Sequence, residues 1–319
     1  MQNPLVALAH RLFGERRSDE RTAEAEGRTM LEAANDIREN PRTVECRDGR
    51  ALGYADCGDP AGDPLVVFHG FPNSRVFGAL FDGVGRERGL RIVAPERPGI
   101  GVSDPLPSRT VADWTADVAD LARALTLDSF PVLGVSGGGP YAAACAAGLP
   151  RVERAAIVCG LAPLESVGFG DRLPFLLAEH ARPLATLSLW ADGRNARRNP
   201  ENYLTSRAEA SADTDEERWR GEMGQVLLES GREAVNRHGY GPLVTDLAVP
   251  AREWGFDPGS IDVPVSLWYG KEDHIVPLSM GFHYAEAIPT AEAHIYPGQG
   301  HLSVIEENQG RVLDALVGS

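Results

Sequence analysis

The sequence predicts an α/β fold, namely a mostly parallel sheet with helices on both faces and a helical insertion. Short apolar runs in the chain are continuous rather than alternating, which is typical of strands that are covered on both faces. Helix-length segments separate these runs, and a strand, a helix and a strand in succession imply a parallel sheet with right-handed crossovers. The alternation stops for roughly a hundred residues and resumes near the C-terminus, which predicts the insertion.

Eight strands are predicted, and the first two form a hairpin within residues 43–57. Two β-like runs there flank Asp48-Gly49, a dipeptide that readily adopts the positive φ of a tight turn. We therefore expect an antiparallel hairpin at a sheet edge. The apolar runs that predict the other six strands lie at residues 65–68, 92–94, 131–135, 155–159, 265–269 and 293–296.

Helices are predicted between the strands, at residues 75–88, 111–127, 140–148, 278–288 and 302–316. The core is expected to comprise residues 41–162 and 256–319. Residues 163–255 are too many for an unstructured loop in a compact domain, so we predict that they form a helical cap. Residues 1–40 look like an N-terminal helical extension. One face of this extension collects apolar residues, Leu5, Leu8, Leu12 and Phe13.

The composition limits the partners and the compartment. The chain has 46 Asp and Glu against 31 Lys and Arg, and its net charge of −15 repels nucleic acid and anionic lipid. The four cysteines are too widely spaced for a zinc site or a disulfide framework, so we expect no metal. No apolar run reaches the roughly 18 residues of a membrane span, and no basic leader precedes a long apolar segment. These features indicate a cytoplasmic protein with no nucleic-acid or membrane partner.

The sharpest motif is Gly134-Val135-Ser136-Gly137-Gly138, which follows a predicted strand and precedes a predicted helix. This context is typical of a nucleophile elbow, a strained turn that presents a serine hydroxyl at the carboxyl end of a sheet. Small neighbours are needed because the turn brings Gly134 and Gly138 close together. We therefore predict that Ser136 is a catalytic nucleophile.

A serine nucleophile needs a base within hydrogen-bonding reach and a third group that orients the base. The glycine-rich loop after the last predicted strand offers His301, and the loop after the preceding strand offers Asp273. The chain order is then serine, acid, histidine. The other seven histidines have weaker positions, and His69 among them is expected to be structural. Glu165, which follows the strand at residues 155–159, stays an alternative for the acid.

Acyl transfer also needs N–H donors for the developing oxyanion. One predicted donor is the backbone N–H of Gly137, directly after the nucleophile. The second is expected from residues 69–72, in the loop that follows the strand at residues 65–68. Because Pro72 has no N–H, Phe71 is the predicted donor.

These motifs together resemble the α/β-hydrolase superfamily, and the resemblance covers residues 43–319. It implies an eight-stranded sheet and a serine hydrolase of the esterase, peptidase or C–C hydrolase branches. No NAD, FAD or other cofactor is expected, because Asp104 occupies the place of the third glycine that a dinucleotide fingerprint at Gly99-Ile100-Gly101 would need. One departure is Glu96, where many relatives carry aspartate. Another is Gly137, where many place a bulkier residue, so the pocket beside the nucleophile is expected to be roomier. The resemblance rests on the elbow, the Asp273 and His301 loops, His69-Gly70-Phe71-Pro72 and Glu96-Arg97-Pro98-Gly99-Ile100-Gly101-Val102-Ser103-Asp104.

The expected reaction is hydrolysis of a carboxylic ester of a small or medium substrate through an acyl-enzyme on Ser136. One alternative is an aminopeptidase of the proline iminopeptidase type, which needs an acidic cap residue such as Glu179, Glu201 or Asp213. Another is a ligand receptor built on the same fold. The expected partner is therefore a small ester or amide, and an oligomer stays open. Six cap residues are candidates for an apolar pocket lining, Trp190, Tyr203, Trp219, Met223, Tyr240 and Trp254.

Overall fold

The computed structural model describes residues 28–318 and contains an eight-stranded, mostly parallel sheet, as predicted. The strands lie in the order β1-β2-β4-β3-β5-β6-β7-β8. Strand β2 pairs antiparallel with β1 and β4, and the other neighbours are parallel. The predicted hairpin at a sheet edge is confirmed, because β1 is the edge strand. The strands are β1 (Arg42–Glu45), β2 (Ala51–Gly58), β3 (Asp63–Phe68), β4 (Leu90–Pro95), β5 (Phe130–Val135), β6 (Val152–Val158), β7 (Val265–Gly270) and β8 (Ala291–Tyr296).

The two faces of the sheet carry separate apolar clusters. Strand β3 shows why, since successive side chains of a strand point to opposite faces. Its Val66 and Phe68 belong to one cluster, and its Leu65 and Val67 belong to the other. Continuous apolar strands therefore supply both faces, which the helices cover.

Helices flank the sheet and fill the segment between β6 and β7. Helix α1 lies within the predicted N-terminal helical extension, residues 1–40. The apolar face predicted at residues 5–13 lies outside the described residues. No helix within residues 28–318 combines the length and apolar character that a bilayer crossing requires. The helices are α1 (Met30–Glu39), α2 (Asp82–Glu87), α3 (Trp114–Ala124), α4 (Gly139–Gly148), α5 (Phe169–His180), α6 (Arg182–Arg198), α7 (Pro200–Glu209), α8 (Glu216–Arg220), α9 (Glu222–Ala234), α10 (Tyr240–Ala248), α11 (Leu278–Ala287) and α12 (His301–Val317).

The helix predicted at residues 75–88 is two shorter pieces. Residues Arg75–Phe81 form a 3₁₀ helix, and α2 follows directly. All seven residues of the 3₁₀ helix are buried, and a Cβ atom at Gly78 would lie 2.9 Å from the Ala94 Cβ. Tertiary packing on β4 therefore decides the local geometry here, rather than helix propensity.

Buried ion pairs join the segment between β6 and β7, here called the insertion, to the core. Arg75 contacts Glu96 of the core at 2.7 Å and Glu233 of α9 at 2.8 Å. Arg97 contacts Asp246 of α10 at 2.8 Å. Because these side chains are almost fully buried, each needs its partner to offset its loss of hydration. The insertion is thus fixed at defined points above the sheet's carboxyl edge.

Candidate active site

Ser136 lies in a sharp turn directly after β5. Its φ is 54°, in the left-handed region that non-glycine residues rarely adopt, and residues Ser136–Gly138 form a 3₁₀ turn that leads into α4. A Cβ atom at Gly134 would lie 2.5 Å from the Gly138 carbonyl oxygen and 2.7 Å from the Ala142 Cβ. The close approach of β5 and α4 explains why the sequence has glycine on both sides of the serine.

Asp273 and His301 meet at the ends of β7 and β8. His301 Nδ1 lies 2.7 Å from Asp273 Oδ2, and the other carboxylate oxygen accepts hydrogen bonds from the backbone N–H groups of Ile275 at 2.7 Å and Val276 at 2.8 Å. These three donors fix the carboxylate, and the carboxylate in turn fixes the histidine tautomer that presents Nε2 as an acceptor. Glu165, the alternative acid, is exposed on the turn after β6.

The pKa values of this pair shift in the directions that an ion pair requires. Burial alone would raise the pKa of Asp273, but the charge of His301 and the hydrogen bonds to it outweigh burial and lower it. Burial likewise opposes protonation of His301, and the Asp273 carboxylate, with a smaller contribution from Asp215, outweighs it and raises the pKa above 6.5. The site therefore stabilises a transient imidazolium.

Ser136 and His301 line the same cavity. Among the hydrogen bonds of residues 28–318, none joins the Ser136 hydroxyl to the His301 ring. Hydrogen bonds between catalytic groups are often long before substrate binds, so a shared cavity is the relevant geometric condition. The nucleophile and base candidates thus lie on the same side of the sheet.

The loop between β3 and the 3₁₀ helix lies against the elbow. A Cβ atom at Gly70 would lie 3.2 Å from the Ser136 Cβ, and one at Gly137 would lie 3.3 Å from both the N and the Cβ of Phe71. The Phe71 N–H has no acceptor among the described residues. It is therefore free to donate to a group bound beside Ser136. The expected extra room at Gly137 is filled by Phe71.

Arg97 holds this loop from behind. Its guanidinium donates to the carbonyl oxygens of His69 at 2.5 Å and Gly70 at 3.0 Å. Asp246 of the insertion contacts Arg97 at 2.8 Å and also Arg109 at 2.8 Å. A buried carboxylate from the insertion thus orients the arginine that anchors the loop.

His69 is a structural member of the same loop. Its Nδ1 lies 2.8 Å from the Gly70 carbonyl oxygen, and the backbone N–H of Arg97 donates to its Nε2 at 3.4 Å. Burial, reinforced by the Arg97 charge, lowers the pKa of His69 to about 3. The ring is therefore neutral at physiological pH, with the proton on Nδ1.

The insertion supplies most of the cavity wall. Of the six aromatic and methionine candidates, Tyr203, Trp219 and Tyr240 line the cavity. Trp190 is exposed instead, and Met223 and Trp254 are buried in apolar clusters. Aliphatic side chains that sequence patterns did not single out complete the wall, among them Leu189, Leu227, Val235 and Leu243.

The three acidic residues suggested for an amine site do not line the cavity. Glu179 pairs with Arg252 at 2.8 Å. The acid that lines the cavity is Asp192 of α6, which lies 2.7 Å from Arg207. Sequence reasoning missed it, because an aspartate in a charged helix carries no local signal of facing inward.

The Cys159 thiol lies beside the acid and base. Ligand atoms of Cys159, Asp273 and His301 lie within 4.8 Å of one another, a spacing that could hold a metal ion. Burial, reinforced by the Asp273 charge, raises the pKa of Cys159 well above its ordinary value. Without a cation beside it, the thiol is therefore protonated at neutral pH.

The eight-stranded sheet, the sharp turn at Ser136 and the Asp273–His301 pair define an α/β protein with a candidate hydrolase site. The chain belongs to the α/β-hydrolase fold family, whose model matches residues 63–308. It is 29% identical to a non-heme chloroperoxidase from Streptomyces lividans, over 77% of this chain and 85% of that protein. It is 26% identical to a proline iminopeptidase from Xanthomonas citri, over 86% of this chain and 93% of that protein.

Solved structures share the fold. An esterase from Exiguobacterium antarcticum matches with a TM-score of 0.64 and 17% identity, over 88% of this chain and all of that chain. At this identity the similarity shows the fold alone. Family and relatives together support a hydrolase activity.

Proposed function

We propose that the protein is a serine esterase that cleaves a carboxylic ester of a small or medium substrate through an acyl-enzyme on Ser136. One observation carries the proposal. Ser136, on a strained turn, shares a cavity with His301, whose opposite ring nitrogen lies 2.7 Å from the Asp273 carboxylate. This combination supplies a nucleophile, a base and an orienting acid.

In the proposed reaction the Ser136 oxygen attacks the ester carbonyl while His301 Nε2 accepts its proton. The protonated ring then donates that proton to the departing alcohol. Water repeats the attack on the acyl-enzyme and releases the acid. Asp273 stays ionised and stabilises the imidazolium, and the N–H groups of Phe71 and Gly137 bind the oxyanion in both steps.

We further propose that helices α5–α10 act as a cap that selects the substrate. Their aliphatic and aromatic side chains in the cavity wall support an apolar acyl or alcohol group. The proposed compartment is the cytoplasm, since the four cysteines are buried and unpaired, the state that a reducing compartment maintains.

Burst release of nitrophenol from nitrophenyl acetate and butyrate tests the proposal. The wild type should show a burst equal to the enzyme concentration, and Ser136→Ala should show none. The matched control is Ser108→Ala, which removes an exposed hydroxyl and should leave the burst intact. Equal turnover by the wild type and Ser136→Ala refutes the nucleophile.

A peptidase of the proline iminopeptidase type is the second candidate, favoured by the relative from Xanthomonas citri and by Asp192 in the cavity. The ion pair of Asp192 with Arg207 weakens this candidate, because it neutralises the charge that would attract an amine. Proline nitroanilide separates the two: a kcat/KM above that of the esters, lost in Asp192→Asn, favours the peptidase. Slow turnover of both substrate types with tight retention of ligand favours a receptor.

A further inference from the structure

Helix α12, which begins at His301, lacks a capping side chain of its own. Its N-cap residue is Gly300, which has no side chain to accept hydrogen bonds from the first N–H groups of the helix. Unsatisfied N–H groups at a buried helix end are costly, and a Ser, Thr, Asp or Asn side chain usually accepts their hydrogen bonds. The acceptor in this protein comes from another part of the chain.

Asp215 of the insertion fills that position. It is 1% exposed, and its carboxylate accepts hydrogen bonds from the backbone N–H of Leu302 at 3.1 Å and of Ser303 at 2.9 Å, and from the Ser303 hydroxyl at 2.8 Å. The Ser303 hydroxyl also accepts from the N–H of Gly300 at 2.7 Å. Both residues that flank His301 are therefore tied to one carboxylate.

The glycine and the carboxylate are complementary. A Cβ atom at Gly300 would lie 2.6 Å from Asp215 Oδ2, so any other residue would displace the carboxylate. Helix α8, which follows Asp215, adds contacts between the insertion and α12: Arg218 pairs with Glu306 at 2.8 Å and with Glu307 at 2.6 Å. The start of α12 is thus built around an insertion residue.

We propose that Asp215 is a positioning residue for the base: its carboxylate fixes the first turn of α12, which carries His301, and places a negative charge at that turn. The inference rests on the proposed function of His301. It assigns the insertion a part in the chemistry besides substrate selection, since the loop of the base is completed only by a residue of the insertion.

The charge effect is distinct from the structural one. Asp273, Asp215 and the Cys159 thiol are the titratable groups placed around His301 by β7, the insertion and β6 in the described part of the chain. Asp215 contributes to the raised pKa of His301, after Asp273. Removing the charge of Asp215 should therefore lower that pKa, whereas loss of a merely structural contact would leave it in place.

The test uses the full chain with ¹³C-labelled histidine in a Ser136→Ala background, so that no turnover is needed. The His301 ring titration is followed by NMR with and without Asp215→Asn. We expect the midpoint to move to lower pH in Asp215→Asn. Glu217→Gln, which removes an exposed charge two residues away, is the control and should leave the midpoint in place. A midpoint in Asp215→Asn that equals the control overturns the inference.

Kinetics give a second measurement. In Asp215→Asn the acid limb of the kcat/KM profile should follow the NMR shift, and kcat at its plateau should fall roughly tenfold, because small displacements of a catalytic group are costly. If Asp215→Asn fails to fold, Ser303→Ala replaces it, since this change removes the hydroxyl that links Asp215 to Gly300, together with its 3.4 Å contact to the Thr214 hydroxyl. A lower kcat at unchanged KM supports the inference, and an unchanged kcat refutes it. The Ser136→Ala burst assay tests the esterase proposal separately.

Discussion

Asp246→Asn tests whether the insertion organises the loop of residues 69–72, which carries the proposed oxyanion donor Phe71. The substitution keeps the size of the side chain and removes the charge that Arg97 and Arg109 share. Asp246, Arg97 and Arg109 are 4%, 1% and 3% exposed, so both guanidinium groups would lose their carboxylate in surroundings that exclude water. Breaking a buried ion pair of this kind costs about 3 to 5 kcal/mol of unfolding free energy.

This loss of unfolding free energy corresponds to a decrease in the melting temperature. With about 2 cal/mol/K of unfolding entropy per residue, a chain of 319 residues loses about 1.5 °C per kcal/mol. We therefore expect Tm to fall by about 5 to 7 °C. Glu253→Gln, an exposed acid in the same part of the insertion, is the control and should leave Tm within about 1 °C.

Catalysis should fall as well, for a separate reason. Without Asp246, Arg97 no longer holds the carbonyl groups of His69 and Gly70 in place. The Phe71 N–H would then no longer point at the proposed oxyanion position. Loss of an oxyanion donor lowers kcat by about 10² to 10³, which sets the upper limit, and a misaligned donor should cost at least about tenfold. The assay is nitrophenyl ester turnover well below Tm. A variant with the Tm and the kcat of the wild type would refute the reasoning.

Three further predictions concern ionisable groups of the site. Asp273→Asn should lower kcat by about 10⁴, because the amide favours the wrong tautomer of His301; Glu165→Gln is the control, and a loss below tenfold contradicts the assignment of the acid. Because the pKa of His301 is raised, the acid limb of kcat/KM should lie above pH 6.5, and a limb below that value contradicts the ion pair. Folded His69 stays neutral down to about pH 3, while the unfolded residue binds a proton near 6.5. The free energy of unfolding, measured with urea, should therefore decrease as pH falls from 6.5 towards 3, with a smaller slope in His69→Gln.

The sheet and the positions of the three candidate site residues were predictable because their signals are local. Ser136 follows its strand directly, and Asp273 and His301 lie in the short loops after β7 and β8. The carboxyl ends of parallel strands meet at one edge of a sheet. Each residue is therefore placed by its own neighbours in sequence. The chain order of the three then follows from the order of the strands.

The supports of the site were not predictable, because their partners are far apart in sequence. Asp215 contacts a residue 88 positions away, and Asp246 contacts one 149 positions away. Both lie in a charged segment, where a solvent-exposed carboxylate and a buried one have the same local pattern. The residues that line the cavity could not be predicted for the same reason. Only the packing of the insertion decides that Trp219 faces the cavity and Trp190 faces solvent.

Buried ion pairs between the insertion and the core do more to select one arrangement than to stabilise the fold. Apolar replacements of such pairs are often as stable or more stable, so a stability argument alone does not explain them. The geometry explains them, because Arg75 and Arg97 are each 1% exposed or less. A shift of α9 would separate Arg75 from Glu233, and a shift of α10 would separate Arg97 from Asp246, in surroundings that exclude water. An insertion held in this way cannot move as one rigid lid without a large cost. The contacts that fix its position also orient the loop beside Ser136. The geometry of the site therefore depends on where the insertion is placed.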